Sequence, residues 1–552
     1  MSAIASRRAW GRWVLLVVTA WLVGYPLLVT LWAALEPQGG GALGSPVAAF
    51  LRHPGESLAV ARSLWISVAS VALAAAIGVP LAFLFARCEF RGRRILAELV
   101  ALPVALPPLV GVIAFAYLYG ESGIATRAVG ALLGRTTPPW RMVGQGAILF
   151  VHAYSMYVYF YLFTRAALAR FDGALLEAAA ALGAGRWRRL LRVELPLLKP
   201  ALAGAAMLTF LTALGSFSAP YLFGGSYRVM TTQILAAKQN GDVDLAEVET
   251  IVLAAISIVA LVAARRLEGV ARVATAGRAA RPLAPRRPGG GTATLVTLAG
   301  WTAAALLLLP HLALLLLSFV PPATWTTEAL PPVLGLGNWR ALVASAEALR
   351  PIGNSLWMAL VATAAALGLG LALARAARAG GALGRALELL VALPWAVPAT
   401  AFAVALATTF SVRQPLALRF VLVGTAAILP LGYGIRALPT TGRAAASGLA
   451  QLDPGLEEAA ASLGAGKLRR LWRVSLPSLR PALAAGASLA FLNSFGDFVL
   501  SIVLYTYTTR PIAIEILSNL RLQETGRAAA YGVVLTALSA AAFLIWGRER
   551  RA

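Results

Sequence analysis

The sequence predicts an all-α polytopic membrane protein, with about twelve transmembrane helices in two parallel six-helix repeats. Three observations predict it. Hydrophobic residues make up 59% of the 552 positions and charged residues only 13%, which leaves too little polar surface to cover a soluble globule. Apolar runs of about 20 residues, the length a helix needs to cross a bilayer, recur along the whole chain. Finally, a stretch beginning at Glu177 returns at Glu458 with every matched position displaced by the same amount.

The first run, from Trp13 to about Leu35, follows Arg7, Arg8 and Arg12. It exceeds the roughly 7–15 residues of a signal-peptide core and reads as a retained first helix. Further runs lie near 64–86, 96–120, 143–169, 199–222 and 248–264, closing a first repeat over residues 1–264. A basic linker rich in Pro and Gly follows at 265–293. The second repeat, 294–552, has runs near 294–320, 355–377, 386–410, 417–439, 481–505 and 528–546.

The net charge of +25 admits a nucleic-acid binder, but Lys and Arg cluster between the spans, which is the distribution of a positive-inside membrane protein. Counting them on alternate sides gives 34 on the side of the two termini and 14 on the other, so both termini are expected in the cytoplasm. A single cysteine, Cys88, excludes an internal disulfide framework and any cysteine-rich metal site. The three histidines, His53, His152 and His311, have no acidic or cysteine partners at metal-ligand spacing, and the two within spans read as packing residues. No catalytic cluster, metal site or cofactor is expected, which argues against a membrane enzyme acting on lipid.

The repeated stretch reads Glu177-Ala178-Ala179-Ala-Ala-Leu-Gly183, then Arg186, Arg188, Arg189, Arg192, Pro196 and Pro200; its second copy reads Glu458-Ala459-Ala460-Ala-Ser-Leu-Gly464, then Lys467, Arg469, Arg470, Arg473, Pro477 and Pro481. The acidic and Ala-rich start forms a short helix with Asp172 or Asp453 at its N-terminal end, where a negative charge suits the helix dipole. Gly183 and Gly185, or Gly464 and Gly466, break it, and the proline pair starts the next span. Such a basic segment can anchor to lipid headgroups; the alanine face and the duplication favour docking of a partner.

Both copies resemble the EAA loop of permeases in binding-protein-dependent ABC importers: Glu-Ala-Ala, three residues, Gly, nine residues, Ile-x-Leu-Pro, with Val193 and Val474 in place of isoleucine. The resemblance implies the type I permease fold, transport rather than enzymatic activity, and location in the bacterial inner membrane. It implies that the loops at about 171–200 and 452–481 couple to an ATPase through Glu177, Ala178, Ala179, Gly183 and Pro196 and through Glu458, Ala459, Ala460, Gly464 and Pro477. Two copies of a cytoplasmic ATP-binding subunit, carrying the ATP and Mg, and a periplasmic substrate-binding protein are the implied partners. The chain itself lacks a phosphate-cradling loop: at Gly466-Lys467 the required earlier glycine is Ala461 and the next residue is Leu468.

A secondary transporter driven by an ion gradient is the rival of another class, and it usually carries carboxylates inside its spans. Here the spans are poor in them, with Asp497 the main mid-span carboxylate. Polar residues gather in the fifth helix of each repeat, at Ser216 and Ser218 in one and at Asn493 and Asp497 in the other, and these are expected on the translocation path or its gate. The alternative for Asp497 is a carboxylate that caps a broken helix or pairs with a neighbouring Arg. His152, Tyr154, Ser155, Tyr157, Tyr159 and Tyr161 add polar groups to the fourth helix but cannot all face one side. For cargo, Gly215 to Gly225 and Thr231-Thr232-Gln233-Ile234 are similar to ferric-iron permeases, whereas Ser494-Phe-Gly-Asp497-Phe is closer to thiamine, polyamine and related permeases. Ferric iron leads, with thiamine, a polyamine or a phosphonate as alternatives.

Overall fold

A computed structural model describes residues 2–36, 46–101, 103, 107–272, 285, 287–325, 330–417 and 419–547. The middle of the expected linker, 273–284 and 286, together with the C-terminal arginines, lies outside the described residues. The first repeat contains α1 (Trp10–Leu35), α2 (Pro54–Arg87), α3 (Arg93–Leu99), α4 (Pro108–Tyr119), α5 (Gln145–Ala169), α6 (Gly173–Ala181), α7 (Leu195–Leu214), α8 (Ser218–Phe223), α9 (Met230–Gln239) and α10 (Val243–Arg272). The second contains α11 (Gly290–Leu317), α12 (Ala346–Arg378), α13 (Gly381–Ala396), α14 (Ala399–Ser411), α15 (Ile428–Gln451), α16 (Pro454–Ser462), α17 (Leu476–Phe495), α18 (Val499–Leu504), α19 (Ile512–Arg521) and α20 (Thr525–Gly547).

Among the described residues, 8 helices are long and apolar enough to cross a membrane, and the bent pair α13 and α14 makes a ninth crossing. The remaining expected spans fall on α15, α17 and α20, which have 24, 20 and 23 residues. These three reach the length of a span but include polar residues such as Arg436, Arg480 and Thr525, which make them less apolar than the others.

Several boundaries differ from the sequence expectation. The third apolar run of each repeat is not one helix: the first is divided between α3 and α4, and the second bends by 106° between α13 and α14. Prolines explain both, since Pro107, Pro108 and Pro398 lack the N–H that would continue the ladder and push the residue before them out of the helical region. The fifth run is likewise divided, at Gly215 and at Gly496. The run expected at 417–439 is helical only from Ile428 and continues to Gln451, and α10 continues through the first part of the expected linker. The short helices α9 and α19 carry too few residues to register as spans. Each is pinned to the second span of its repeat, with the Ser63 hydroxyl accepting from the Met230 N–H and Ser355 from the Ile512 N–H, both at 2.9 Å.

The two halves interpenetrate. The first span of each repeat packs on the third span of the other: Arg12 donates to the Gly380 carbonyl (2.7 Å) and Trp21 to that of Leu416 (2.6 Å), while α11 lies along α4 and α3. Within each repeat the closest pair is the second span against the fifth helix in chain order of that half, α2 on α5 and α12 on α15. Gly78 and Gly370 permit it, because a Cβ at Gly78 would lie 2.3 Å from the Tyr157 carbonyl oxygen and one at Gly370 would lie 2.7 Å from the Thr441 hydroxyl. The two largest buried clusters therefore each draw on both halves.

Candidate functional site

The two loops fold alike. Asp172 accepts from the Ala174 N–H at 3.1 Å and Asp453 from the Gly455 N–H at 2.9 Å, satisfying one of the free donors at the start of α6 and of α16. Each helix ends in a Schellman motif. The Ala184 N–H reaches back to the Ala179 carbonyl (2.9 Å) and that of Gly183 to Ala180 (3.0 Å); in the second copy Ala465 reaches Ala460 and Gly464 reaches Ala461 (both 3.0 Å). Gly183 and Gly464 have φ of +76° and +80°, which a glycine adopts without the steric cost of a Cβ. Gly185 and Gly466 instead sit in extended conformation and start the next helical turn.

Beyond the loop comes a wide π turn, Leu190–Glu194 in one repeat and Leu471–Ser475 in the other. Pro196 and Pro477 stand just after it, and the wider turn makes room for the proline ring beside a carbonyl that it cannot serve. The span thus begins at Arg186 rather than at the second proline. Each loop is rooted to the second span of its own repeat by an ion pair, Arg87 to Glu194 at 2.5 Å and Arg375 to Glu457 at 3.3 Å, with the Ser475 hydroxyl donating to the Glu457 carboxylate.

The outer surface of these loops is apolar. Leu182 and Leu463 are each 88% exposed, and around them stand Trp187 and Leu191 in the first copy and Leu468 and Trp472 in the second, all more than half exposed. Trp and Leu have exchanged places between equivalent positions. Glu177 and Glu458 are exposed beside them, as are Ala178 and Ala459, while Ala179 and Ala460 are half-buried. Sequence reading settled on the acid, the alanines, the glycine and the proline of each loop and passed over these large apolar residues.

The polar residues of the fifth spans converge where the two halves meet. The break after α7 lies against the break of the other half's third span: a Cβ at Gly215 would lie 3.6 Å from Pro398, and one at Gly496 would lie 2.7 Å from Pro107. Between these crossings Phe217 and Phe498, equivalent residues of the two repeats, pack on each other with ring centroids 5.7 Å apart, and Tyr221 stacks on Phe217 at 5.1 Å. Both phenylalanines are buried, and the seam is closed at this level. The constant displacement between repeats marks Phe217 and Phe498 as equivalents, but only the fold shows that equivalents touch.

Around this seam the repeats differ. Ser70 donates to the Ile66 carbonyl (2.6 Å), so it accepts from His152 Nδ1–H (2.8 Å), and His152 Nε2 accepts from Ser216 (2.8 Å). Thr231 donates to the Ser216 carbonyl (2.7 Å). In the second repeat Asp497 accepts from the N–H groups of Leu500 (2.9 Å) and Ser501 (3.2 Å), capping α18, and Ser501 donates to the Asp497 carbonyl while accepting from Tyr433. Arg436 interacts electrostatically with Asp497 and donates to the carbonyls of Pro394 (2.8 Å) and Val397 (2.9 Å). Asp497 is thus a helix cap that lies within the field of an arginine without forming an ion pair with it. Ser218 is buried at the start of α8, and Asn493 is exposed one turn before the break.

The fourth-span tyrosines do not form a polar wall. Tyr157 donates to the Val100 carbonyl (2.5 Å) and Tyr161 to that of Ala97 (3.0 Å), the carbonyls that the break after α3 leaves without helical partners. Arg436 does the same for the second repeat. His152 is a packing histidine with both nitrogens bonded, whereas His311 uses one, toward Tyr154.

A chain of interlocked spans, with two matched loops on one face and a closed aromatic seam between the halves, is the membrane-embedded part of a transporter. It belongs to the family described as the binding-protein-dependent transport system inner membrane component, which it matches over residues 78–270 and 364–547. It is 29% identical to the probable ABC transporter permease protein y4fN of Sinorhizobium fredii over 97% of this chain and 95% of that protein. It is 26% identical to the ferric transport system permease protein FbpB of Actinobacillus pleuropneumoniae over 81% of this chain and 64% of that protein. It is also 31% identical to the thiamine transport system permease protein ThiP of Brucella abortus over 31% of this chain and 32% of that protein.

Proposed function

We propose that this ABC permease docks two copies of an ATP-hydrolysing subunit, one on each of the loops around α6 and α16, and passes into the cytoplasm a solute delivered by a periplasmic binding protein. The observation that carries this reading is the pair of identically capped loops with exposed apolar crowns on one face of the molecule. In this reading Glu177, Ala178, Ala179, Gly183 and Pro196, with Glu458, Ala459, Ala460, Gly464 and Pro477, form the coupling surfaces. ATP and Mg belong to the partner, both termini lie in the cytoplasm, and Ser216, Ser218, Asn493 and Asp497 flank a gate closed by Phe217 and Phe498.

Ferric iron is the leading cargo, supported by the ferric transport relative and by the resemblance of the segment from Gly215 to Gly225. Among the described residues no group of three or more His, Cys, Asp or Glu is placed to hold a metal ion, so the proposal puts iron recognition in the delivery protein. Thiamine is the second reading, favoured by the similarity to a thiamine permease.

Reconstituted with its ATPase and binding protein, the chain is expected to take up radiolabelled ferric ion in an ATP-dependent way. Glu177→Lys with Glu458→Lys should abolish uptake while the chain remains inserted. Undiminished uptake by that variant would overturn the coupling surfaces, and uptake of thiamine but not iron would overturn the cargo.

A further inference from the structure

On the face that carries the loops, α12, α13 and α15 of the second repeat enclose a crevice of about 640 Å³. It opens at the turn between Arg378 and Gly381, where α12 ends and α13 begins. Its depth is apolar, walled by Leu373, Leu387, Val391, Ala446 and Leu449. Three arginines also line it, Arg378, Arg385 and Arg443, all with exposed side chains, against one acid, Glu388. Arg443 lies over the Trp395 ring, 4.6 Å from its centroid.

The first repeat shows why the space exists. Gly442 lines the crevice at the position where the first repeat has Tyr161, whose buried ring packs against Phe85 and bonds to α3. Leu438 likewise replaces Tyr157. The pairing is independent of sequence alignment, because Gly78 of α2 meets Phe160 and Tyr161 just as Gly370 of α12 meets Thr441 and Gly442. Two rings that fill the first repeat are missing from the second.

We infer that this crevice is a seat for an anionic phospholipid, its phosphate held by Arg378, Arg385 and Arg443 and one acyl chain lying along the apolar wall. An opening at the end of the spans meets the headgroup layer of the bilayer, and a basic pocket between helices there complements an anionic headgroup. The apolar wall excludes a soluble anion as the sole occupant, since a free phosphate leaves that surface uncovered. Placement in the inner leaflet rests on the proposed orientation; the seat itself does not.

The test is native mass spectrometry of the full chain purified from phosphatidylglycerol-containing nanodiscs. About one phosphatidylglycerol should stay bound to the wild type, and Arg378→Gln/Arg385→Gln/Arg443→Gln should weaken its retention about a hundredfold, at roughly fivefold per arginine. Ala446→Leu, which fills the wall without touching charge, should also expel it, and Arg413→Gln/Arg419→Gln at the opposite face should not. Photocrosslinking with a diazirine-tailed phosphatidylglycerol, which needs no variant, should label α13 and α15. Equal retention by all variants, or displacement from the wild type by glycerophosphoglycerol with no effect of Ala446→Leu, would overturn the seat. Transport need not be measured, so failure here is distinct from failure of the coupling reading.

Discussion

Gly183 and Gly464 hold φ near +80° at the end of the docking helices. Alanine at either site pays about 1–2 kcal/mol for the left-handed conformation. Gly183→Ala with Gly464→Ala is expected to fray the last turn of α6 and α16 and lower ATP-linked uptake several-fold, with the chain still inserted; unaltered uptake would show that the turn is dispensable. Arg436 carries a different kind of burden, since its removal strands two carbonyls and takes away a positive charge that acts on Asp497. Arg436→Ala should lower stability by about 1–3 kcal/mol for each of the two carbonyls it leaves unsatisfied, read as a lower thermal midpoint in detergent. Asp497→Asn added to it should recover part of the loss, because asparagine still caps α18. The same residues show what sequence can and cannot reveal. Asp497 was visible as an odd carboxylate in an apolar run, but the arginine whose charge acts on it lies some 60 positions earlier in the chain, and the carbonyls that hold that arginine lie about 40 positions earlier still, so neither leaves a local mark.

Helices and their breaks divide along the same line. Spans and docking loops were legible because hydrophobic length and exact repetition are local properties of the chain. The breaks in the third spans were not, because a run such as 386–410 stays apolar through Pro394 and Pro398 and reads as continuous. What permits a break in the membrane is a donor from elsewhere, Tyr157 and Tyr161 in one repeat and Arg436 in the other. Tyr157→Phe with Tyr161→Phe should therefore destabilise the chain by about 1–3 kcal/mol for each unsatisfied carbonyl, although only two hydroxyls are lost. A thermal midpoint equal to that of the wild type would mean that water serves those carbonyls. In the docking loops, the exchange of Trp187 and Leu191 for Leu468 and Trp472 keeps one indole and one leucine on each crown, so single Trp→Ala changes should weaken ATPase co-purification to similar extents.

At the scale of the molecule, the seam between the repeats is closed by rings rather than by charge. Phe217→Ala with Phe498→Ala removes two buried rings where equivalent surfaces meet, and proteoliposomes bearing the double variant should leak small solutes without ATP while the wild type stays tight. A tight double variant would move the gate elsewhere. Ser216 and Asp497 occupy equivalent positions, and the repeats differ there: one side of the seam hangs on a histidine bridge, the other on a capped carboxylate in the field of an arginine.

The exchange of first spans has a consequence in time. A ribosome adds about 5–20 residues per second, and α1 precedes its resting place on α13 and α14 by some 350 residues. For roughly 20–70 seconds the first helix can therefore pack only on helices of its own repeat, chiefly α10, with Trp21 and Arg12 still without the carbonyls they later serve. Until the second repeat arrives, the first is a membrane-held intermediate, and a chain cut short after residue 264 leaves open the side of its first helix that α13 and α14 would cover.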